Sequence, residues 1–205
     1  MGVMAAPRKR TPEWEEVPPE PVPIQSLRNL RDRIEADHRR AEIIDGVVVV
    51  SPMPVIWHEK VCHWLVRSFL EACTANDWFP DAAAEIELPP TGDLIEPDFL
   101  VLRDASTLPD FESLRPLDRV LLAAEVISPS SIQRDRTVKP RACALAGIPL
   151  YLLVDQELGG WTLHGLAEGW QRYQIVSEGT YGQDIVLPEP LGFTIPTSDW
   201  PRLLL

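Results

Sequence analysis

Cysteine is scarce in this sequence, and long hydrophobic runs are missing from it. Three of its 205 residues are cysteines, Cys62, Cys73 and Cys143, and they form neither a close pair nor the spacing of a metal-ligand motif. An odd number of cysteines without a signal peptide predicts reduced thiols in a cytoplasm. No apolar run approaches the ~18 residues of a membrane-spanning helix, so no membrane span is predicted.

Positive charge is also in short supply. Lysine and arginine together number 19, against 31 aspartates and glutamates, which gives a formal net charge of -12 and a pI near 4.7. Proteins that bind nucleic acid through bulk electrostatic attraction normally carry a basic surface, so this balance argues against that class. It does not exclude an enzyme that neutralises a phosphate locally with a metal ion.

The length of the chain suits one globular domain with a tail. Residues 1–24 are dense in proline and charge and cannot sustain a helix or a sheet interior, so we expect a flexible or extended tail there. Trp14 is the one tail residue that could dock on the domain, and a solvated position is the alternative. Residues 25–205 are predicted to form a single domain.

Hydrophobic periodicity and turn residues predict a mixed α/β fold for this domain. Ser26 is placed to cap a short helix, and Asp45-Gly46 between two apolar runs predicts a hairpin over residues 41–50. An apolar stripe at helical spacing predicts a long core helix over residues 55–73; its members are Val61, Leu65, Phe69 and Ala72. Further strands are predicted over residues 82–88, 95–102, 119–127 and 149–155, with a helix over 136–146.

The strand–helix–strand order of residues 119–155 predicts a right-handed crossover and a parallel strand pair. The last third of the chain has the pattern of successive antiparallel hairpins, with strands near 161–166, 170–176 and 184–187. Trp161, Trp170, Tyr173 and His164 are expected to pack on sheet faces there.

Two carboxylates and one lysine carry the main functional signal. Asp98 and Glu125 lie at the ends of apolar runs predicted to be buried strands, and Lys139 follows on a short helix. A hard divalent ion such as Mg²⁺ takes oxygen ligands and generates hydroxide near neutral pH, and a nearby cation stabilises charge on phosphate oxygens. Asp98 and Glu125 can hold such an ion if their strands are neighbours, and Lys139 can supply the cation.

The same residues have a purely structural interpretation. Carboxylates beside strands usually lie at solvent-exposed ends, and Lys139 follows Asp135 by four residues, the spacing of an ordinary ion pair on a helix face. Glu125 fits this interpretation least, because it lies inside an apolar run and a buried carboxylate needs a metal or another partner.

Other candidate residues give weaker signals. His58 and Cys62 lie four residues apart on the long helix, but nothing near them in the sequence completes a metal site, so core or satisfied polar roles are expected. Ser128 and Ser130 have no histidine nearby in the sequence. A strand exit followed by a helix cap explains them better than a nucleophilic role does.

Several short motifs follow one another in a characteristic order. They are Glu42-Ile43-Ile44-Asp45-Gly46, Glu96-Pro97-Asp98, Ala124-Glu125-Val126-Ile127-Ser128-Pro129-Ser130, Asp135 with Lys139, and Gly147-Ile148-Pro149-Leu150-Tyr151 with Val154-Asp155. Together with His58 they resemble the Uma2 family, a bacterial group in the PD-(D/E)XK nuclease superfamily. The resemblance spans residues 41–155 and implies a restriction-endonuclease-like central mixed β-sheet flanked by helices, with C-terminal antiparallel hairpins.

The resemblance also implies a site and its partners. Asp98 and Glu125 would bind Mg²⁺ or Mn²⁺, DNA would be the substrate, and homodimers, common in the superfamily, would offer one site for each strand of a duplex. The superfamily pattern places its lysine two residues after the glutamate, where this chain has Ile127. Lys139 is then expected to be a migrated lysine that performs the same role.

Glu42 and Glu96 are candidates for additional acidic ligands. Glu42 would contribute from the predicted hairpin, and an exposed strand carboxylate is the alternative. Glu96 would share a strand face with Asp98, and a charge at the rim of the site is the alternative.

Three functions remain open at this point. The first is a metal-dependent endonuclease acting on DNA, and the second is a non-catalytic interaction or regulatory module that keeps the nuclease fold. The third is a hydrolase of small phosphate esters. A Lys139 side chain directed into solvent would favour the second function. A basic rim of Arg134, Arg136 and Arg141 would favour a polymeric substrate, and a closed pocket a small one.

Overall fold

A six-stranded sheet lies at the centre of the computed structural model, which describes residues 22–82, 84–110, 112–169 and 171–202. Trp14, most of the predicted tail and Trp170 lie outside the described residues. The helices are α1 (Ile24–Ala36), α2 (Ile56–Ala75) and α3 (Lys139–Leu145). The strands are β1 (Ala41–Ile44), β2 (Val47–Val50), β3 (Phe79–Ala82), β4 (Ile86–Leu88), β5 (Asp93–Ile95), β6 (Phe99–Leu102), β7 (Val120–Val126), β8 (Leu150–Asp155), β9 (Gly160–Leu166), β10 (Tyr173–Thr180), β11 (Ile185–Val186) and β12 (Thr194–Ile195).

The central sheet is mixed and has the strand order β10-β9-β8-β7-β6-β3. β7 and β8 run parallel, and the other neighbouring strands in this sheet run antiparallel. The predicted parallel pair is therefore confirmed. All seven residues of β7 are buried, as expected for a strand covered on both faces.

A smaller sheet with the order β2-β1-β5-β4 lies beside the central one. The predicted hairpin forms its β1 and β2, with Ala41 opposite Val50 and Ile44 opposite Val47. Gly46 has a φ of +74°, which a turn of this kind requires. Leu27 of α1 packs against Ile43 and Leu94 of this sheet.

Helix α2 covers one face of the central sheet and α3 covers the other. Val61, Leu65 and Phe69 of α2 are buried as predicted, and Cys73 rather than Ala72 completes the buried stripe. On the opposite face, Ala142 and Cys143 of α3 pack with residues of β4, β6 and β8. The central sheet is thus flanked by helices, which confirms the predicted fold class.

Two predicted strands have different boundaries in the structure. The predicted strand over 95–102 is two strands, because Pro97 has no N–H to continue a ladder and the chain passes there from the small sheet into the central one. The predicted strand over 82–88 is also wrong at its start: β3 ends at Ala82, β4 begins at Ile86, and the alanines around the junction are weak strand formers.

Two further boundaries differ from the predictions. Helix α1 begins at Ile24 after an extended Pro23, so Ser26 lies inside the helix and does not cap it. A π-helical turn over Arg134–Val138 precedes α3, which begins at Lys139, and Pro140 lies in the first turn of the α-helix.

The C-terminal third consists of antiparallel pairs, as predicted. β9 pairs with β10, and β11 pairs with β12, a strand that the sequence pattern did not indicate. Trp161 is buried, while Tyr173 is half-buried and its hydroxyl donates a hydrogen bond to the Ile148 carbonyl. Among the described residues, no helix combines the length and apolarity that crossing a membrane requires.

Candidate active site

The register of the central sheet brings two of the predicted site residues together. β6 and β7 are antiparallel with Phe99 opposite Ala124, so Asp98, one residue earlier, lies beside Glu125, one residue later. Both carboxylates are buried, with 7% of Asp98 and 2% of Glu125 exposed. Asp98 Oδ2 accepts a hydrogen bond of 2.8 Å from the Val126 amide, which fixes its position at the end of β7.

Lys139, at the start of α3, joins these carboxylates. Its Nζ lies 2.7 Å from Glu125 Oε1 and 2.9 Å from Glu42 Oε1. The ion pair with Asp135 considered above is present too, but at 4.0 Å it is the longest of the three. Lys139 is 3% exposed and points inward. A Lys139 side chain directed into solvent, which would have favoured a non-catalytic module, is therefore not observed.

The charge of Lys139 is maintained by its neighbours. Burial lowers the pKa of Lys139, but the carboxylates of Glu125, Glu42 and Asp135 outweigh this effect and raise the pKa above its usual value. Lys139 is therefore an ammonium ion at neutral pH, and its three N–H groups are directed among acidic oxygens.

Ile127 occupies the position of the superfamily lysine, and its uncharged side chain cannot supply the positive charge that a lysine would. The side chain is buried in the hydrophobic cluster that contains Cys143, Ile148 and Tyr151. The segment that crosses from β7 to β8 brings Lys139 to Glu125 instead. Lys139, which follows Glu125 by fourteen residues, thus contacts the Glu125 carboxylate. A lysine at position 127 would reach the same carboxylate from the same face of the strand.

Glu42 and Glu96 have different positions relative to the cavity. Glu42 is 2% exposed, and its Oε1 accepts a 2.8 Å hydrogen bond from the Glu96 amide. The interpretation of Glu42 as an exposed strand carboxylate is therefore wrong. The Glu96 side chain is half-buried and faces Arg40, with 3.2 Å between Glu96 Oε2 and Arg40 Nε, which is the geometry of a rim charge.

Two residues that were not predicted to belong to the site contact Asp98. Arg40 Nη1 lies 3.2 Å from Asp98 Oδ1, and His58 Nε2 lies 3.2 Å from Asp98 Oδ2. Burial raises the pKa of Asp98, but the hydrogen bond and charge of His58 outweigh burial and hold the pKa well below its usual range. Burial lowers the pKa of His58, but the hydrogen bonds with Asp98 and Cys62 and the negative charge of Asp98 together outweigh burial and raise the pKa to about 10.

His58 has a satisfied polar role, as expected from the sequence: it is buried, and its Nε2 lies 3.2 Å from Asp98 Oδ2. Cys62 Sγ lies 3.5 Å from His58 Nδ1, and one ligand atom from each of His58, Cys62 and Asp98 lies within 4.8 Å of the other two, so these residues also form a candidate metal-binding group. Asp98 directly precedes β6 and lies forty residues after His58 in the chain. The four-residue spacing of His58 and Cys62 was the signal, and the missing information was the tertiary contact.

Asp98, Glu125 and Lys139 line one cavity of about 220 Å³, together with Arg40, Glu42 and His58. The segment Ser51–Val55 also lines it, as does the turn of Ser128, Pro129, Ser130 and Ser131 with Arg134. Gln156 closes the floor: its Nε2 donates to the Ile127 carbonyl, and its buried Oε1 has no partner among the described residues.

The donor set of the cavity fits a hard divalent cation. Glu42, Asp98 and Glu125 offer carboxylate oxygens, and Gln156 Oε1 is an unused acceptor of the same chemical type. Burial raises the pKa of Glu125 well above its usual value; Lys139 opposes this rise, while the other carboxylates of the cavity add to it. A bound cation would stabilise the ionised form of Glu125, so the residues present fit the implied metal.

Three other candidates, Ser128, Ser130 and His164, have structural roles. Ser128 Oγ lies 3.2 Å from Ser130 Oγ and 2.9 Å from Ser131 Oγ, so these hydroxyls bond one another within the turn. His164 packs beside the rings of Tyr151 and Tyr173, with 6.1 Å between ring centroids in each case, which confirms its predicted packing role.

The predicted basic rim is reduced to one residue. Arg134 lines the cavity, whereas Arg136 is bound to Asp155 at 2.6 Å and Arg141 is exposed elsewhere on the surface. The free thiols of Cys62, Cys73 and Cys143 agree with the absence of disulfides expected from the sequence.

Comparison with known proteins shows a family and a solved structure that this chain resembles. The family model of Uma2, described as "Putative restriction endonuclease", matches residues 25–198. A solved structure described as "a putative nuclease belonging to DUF820", from Anabaena variabilis ATCC 29413, superposes with a TM-score of 0.64 and 14% sequence identity, over 78% of this chain and 88% of the other. This likeness shows the fold alone. No curated protein sequence matches significantly.

Proposed function

Because the chain belongs to the Uma2 family, we propose that it is a metal-dependent endonuclease that hydrolyses phosphodiester bonds in DNA. The observation that carries the proposal is the convergence of Asp98, Glu125 and Lys139 in one buried cavity, with the Lys139 ammonium 2.7 Å from Glu125. Phosphodiester hydrolysis needs oxygen ligands for a cation, and it needs a second positive charge near the reacting phosphate.

Asp98 and Glu125 would hold Mg²⁺ or Mn²⁺, with buried Glu42 beside them. The ion would polarise the phosphate and lower the pKa of water near it. Val126, Arg40 and His58 keep Asp98 in place through the hydrogen bonds described above, so its carboxylate needs no rearrangement when a ligand arrives.

Lys139 is the group that would act on the reacting atoms from the protein side. A water oxygen bonds to phosphorus while the opposite P–O bond breaks, and negative charge grows on the non-bridging oxygens. The Lys139 Nζ–H groups can orient this water or donate to those oxygens. Its raised pKa keeps it positively charged throughout, so it stabilises charge and does not accept a proton.

Plasmid nicking across matched variants tests this proposal. Asp98→Asn, Glu125→Gln and Lys139→Met are each expected to remove Mg²⁺- or Mn²⁺-dependent nicking. Asp118→Asn is the control, because Asp118 is a highly exposed carboxylate outside the cavity. Nicking that survives in both carboxylate variants would contradict the proposal.

A second candidate function is hydrolysis of small phosphate esters. The modest volume of about 220 Å³ favours it, since sites for drug-sized ligands begin near ~300 Å³. Turnover of bis(p-nitrophenyl) phosphate, abolished by Asp98→Asn and accompanied by no cleavage of any DNA, would establish this function in place of the first. A protein that binds no metal at all would point to the interaction module.

A further inference from the structure

We propose that this site, taken as the nuclease of the preceding section, acts on single-stranded DNA in preference to duplex. An unpaired nucleotide would enter the cavity between two walls of opposite character. One wall would contact its base, and Arg134 on the other would bind a phosphate next to the one that is cleaved.

The depth of the reacting groups is the first reason. Asp98, Glu125 and Lys139 are all more than nine-tenths buried at the bottom of a cavity of about 220 Å³. A phosphate must therefore move away from the surface of its own helix to reach them. In a duplex this movement requires unpairing and unstacking, whereas a single strand bends without that loss.

The apolar wall is the second reason. Pro52, Met53, Pro54 and Val55, here called the apolar lip, line the mouth, and Met53 and Val55 are 81% and 65% exposed. Apolar side chains of this kind contact the faces of unstacked bases, and methionine adapts to their shape. In an intact duplex the faces of the bases are covered by neighbouring bases, so contact with the apolar lip first requires a base to be unstacked.

Arg134 is the third reason. It lines the same cavity as the apolar lip, at the start of the π-helical turn, and its buried Nε has no partner among the described residues. Arg40 and Lys139, the other permanent cations of the cavity, are both paired with carboxylates. A guanidinium without a carboxylate partner, in a protein with a net charge of -12, is suited to bind a phosphate with its planar fork.

The charge of the whole protein favours the same substrate. A duplex carries one negative charge per ~1.7 Å of its axis, and a single strand about half as many. An acidic surface therefore repels the single strand less than the duplex, and Arg134 is the one arginine or lysine of the cavity without a carboxylate partner among the described residues.

The test compares one end-labelled DNA strand alone and annealed to its complement, with the wild-type protein and Mg²⁺ or Mn²⁺. We expect the single strand to be cleaved at least about tenfold faster, since it does not have to be unpaired. Met53→Ser combined with Val55→Ser should reduce this preference. Arg134→Ala should raise KM for the single strand with little change in kcat, and Arg141→Ala, an exposed arginine outside the cavity, should change neither.

Each result decides at least one of the two proposals. Cleavage of the duplex as fast as the single strand, abolished by Asp98→Asn, would overturn the single-strand inference and leave the nuclease function intact. Cleavage of neither DNA would overturn both. An unchanged KM in Arg134→Ala would remove Arg134 from the phosphate site.

Discussion

At the scale of single residues, the cavity contains two sets of charged side chains: those that would act on a substrate, and those that hold Asp98 in place. Asp98, Glu125 and Lys139 stand out because a charged residue beside or within an apolar run needs an explanation. Arg40 and His58 do not stand out in the sequence in this way. Their contacts with Asp98 join positions 58 and 40 residues apart, and only the strand register creates them.

Lys139→Met is expected to destabilise the protein as well as inactivate it. Removing the ammonium leaves Glu125 and Glu42 buried without a counter-ion, which costs about 3 kcal/mol in the free energy of unfolding and about 10²–10³-fold in cleavage rate. Urea denaturation at pH 8 measures the first effect. The loss of stability should shrink at lower pH as the carboxylates take up protons. Lys60→Met, a change at an exposed lysine, should stay within about 0.5 kcal/mol of wild type.

His58 should make the metal-free protein less stable as the pH rises above neutrality. Its pKa is raised from 6.5 to about 10 in the folded protein, so its stabilising contribution is complete below the unfolded-state pKa and is lost as the pH rises towards 10. The urea concentration at the unfolding midpoint of the wild type, measured in EDTA, should therefore decrease as the pH is raised from 6.5 to 10. His58→Gln should lose this part of the dependence, and equal pH profiles for the two proteins would contradict the assignment.

At the scale of helices and strands, the sequence predicted most elements and missed the joints between them. Periodicity located α2, β7 and β8 because their patterns are long and uninterrupted. Pro97 divides what seemed one strand, and the π-helical turn of Arg134–Val138 begins the crossover two residues before the predicted helix. Both joints border the cavity, where local pattern and tertiary structure disagree.

Gly147 terminates α3 and so fixes the helix that carries Lys139. Its φ is +83°, and a Cβ built on it would meet no atom within 4 Å. Gly147→Ala should therefore cost about 1 kcal/mol of unfolding free energy from backbone strain alone, without a steric clash. Thermal or urea denaturation checks this value, and a neutral substitution would show that the helix end relaxes.

At the scale of the whole molecule, the acidic composition and the local cations of the cavity have separate consequences. The net charge of -12 excludes broad electrostatic binding, and the cavity supplies positive charge at one point. The fold class and the family follow from motif order, and both are confirmed. The predicted domain boundary, the DNA substrate, the metal and the homodimer depend on contacts outside the chain or beyond the described residues, and they stay predictions.

The affinity of this protein for DNA should depend on salt concentration more weakly than is usual for a nuclease. With Arg134 as the one cavity cation that lacks a carboxylate partner among the described residues, the slope of log affinity against log salt should be about -0.7 for a single strand. Fluorescence anisotropy over a series of KCl concentrations, in Ca²⁺ to prevent cleavage, gives this slope. A slope near -6 would show an extensive basic interface that the composition does not suggest.

The central claim is that Asp98 and Glu125 together hold a divalent cation, and calorimetric titration with Mn²⁺ tests it most directly. Wild type is expected to bind one ion per chain, with Asp98→Ala and Glu125→Ala each losing that binding while remaining folded by circular dichroism, and Asp118→Ala binding as wild type does. Binding that persists unchanged in both cavity variants, or no binding by wild type, would contradict the account.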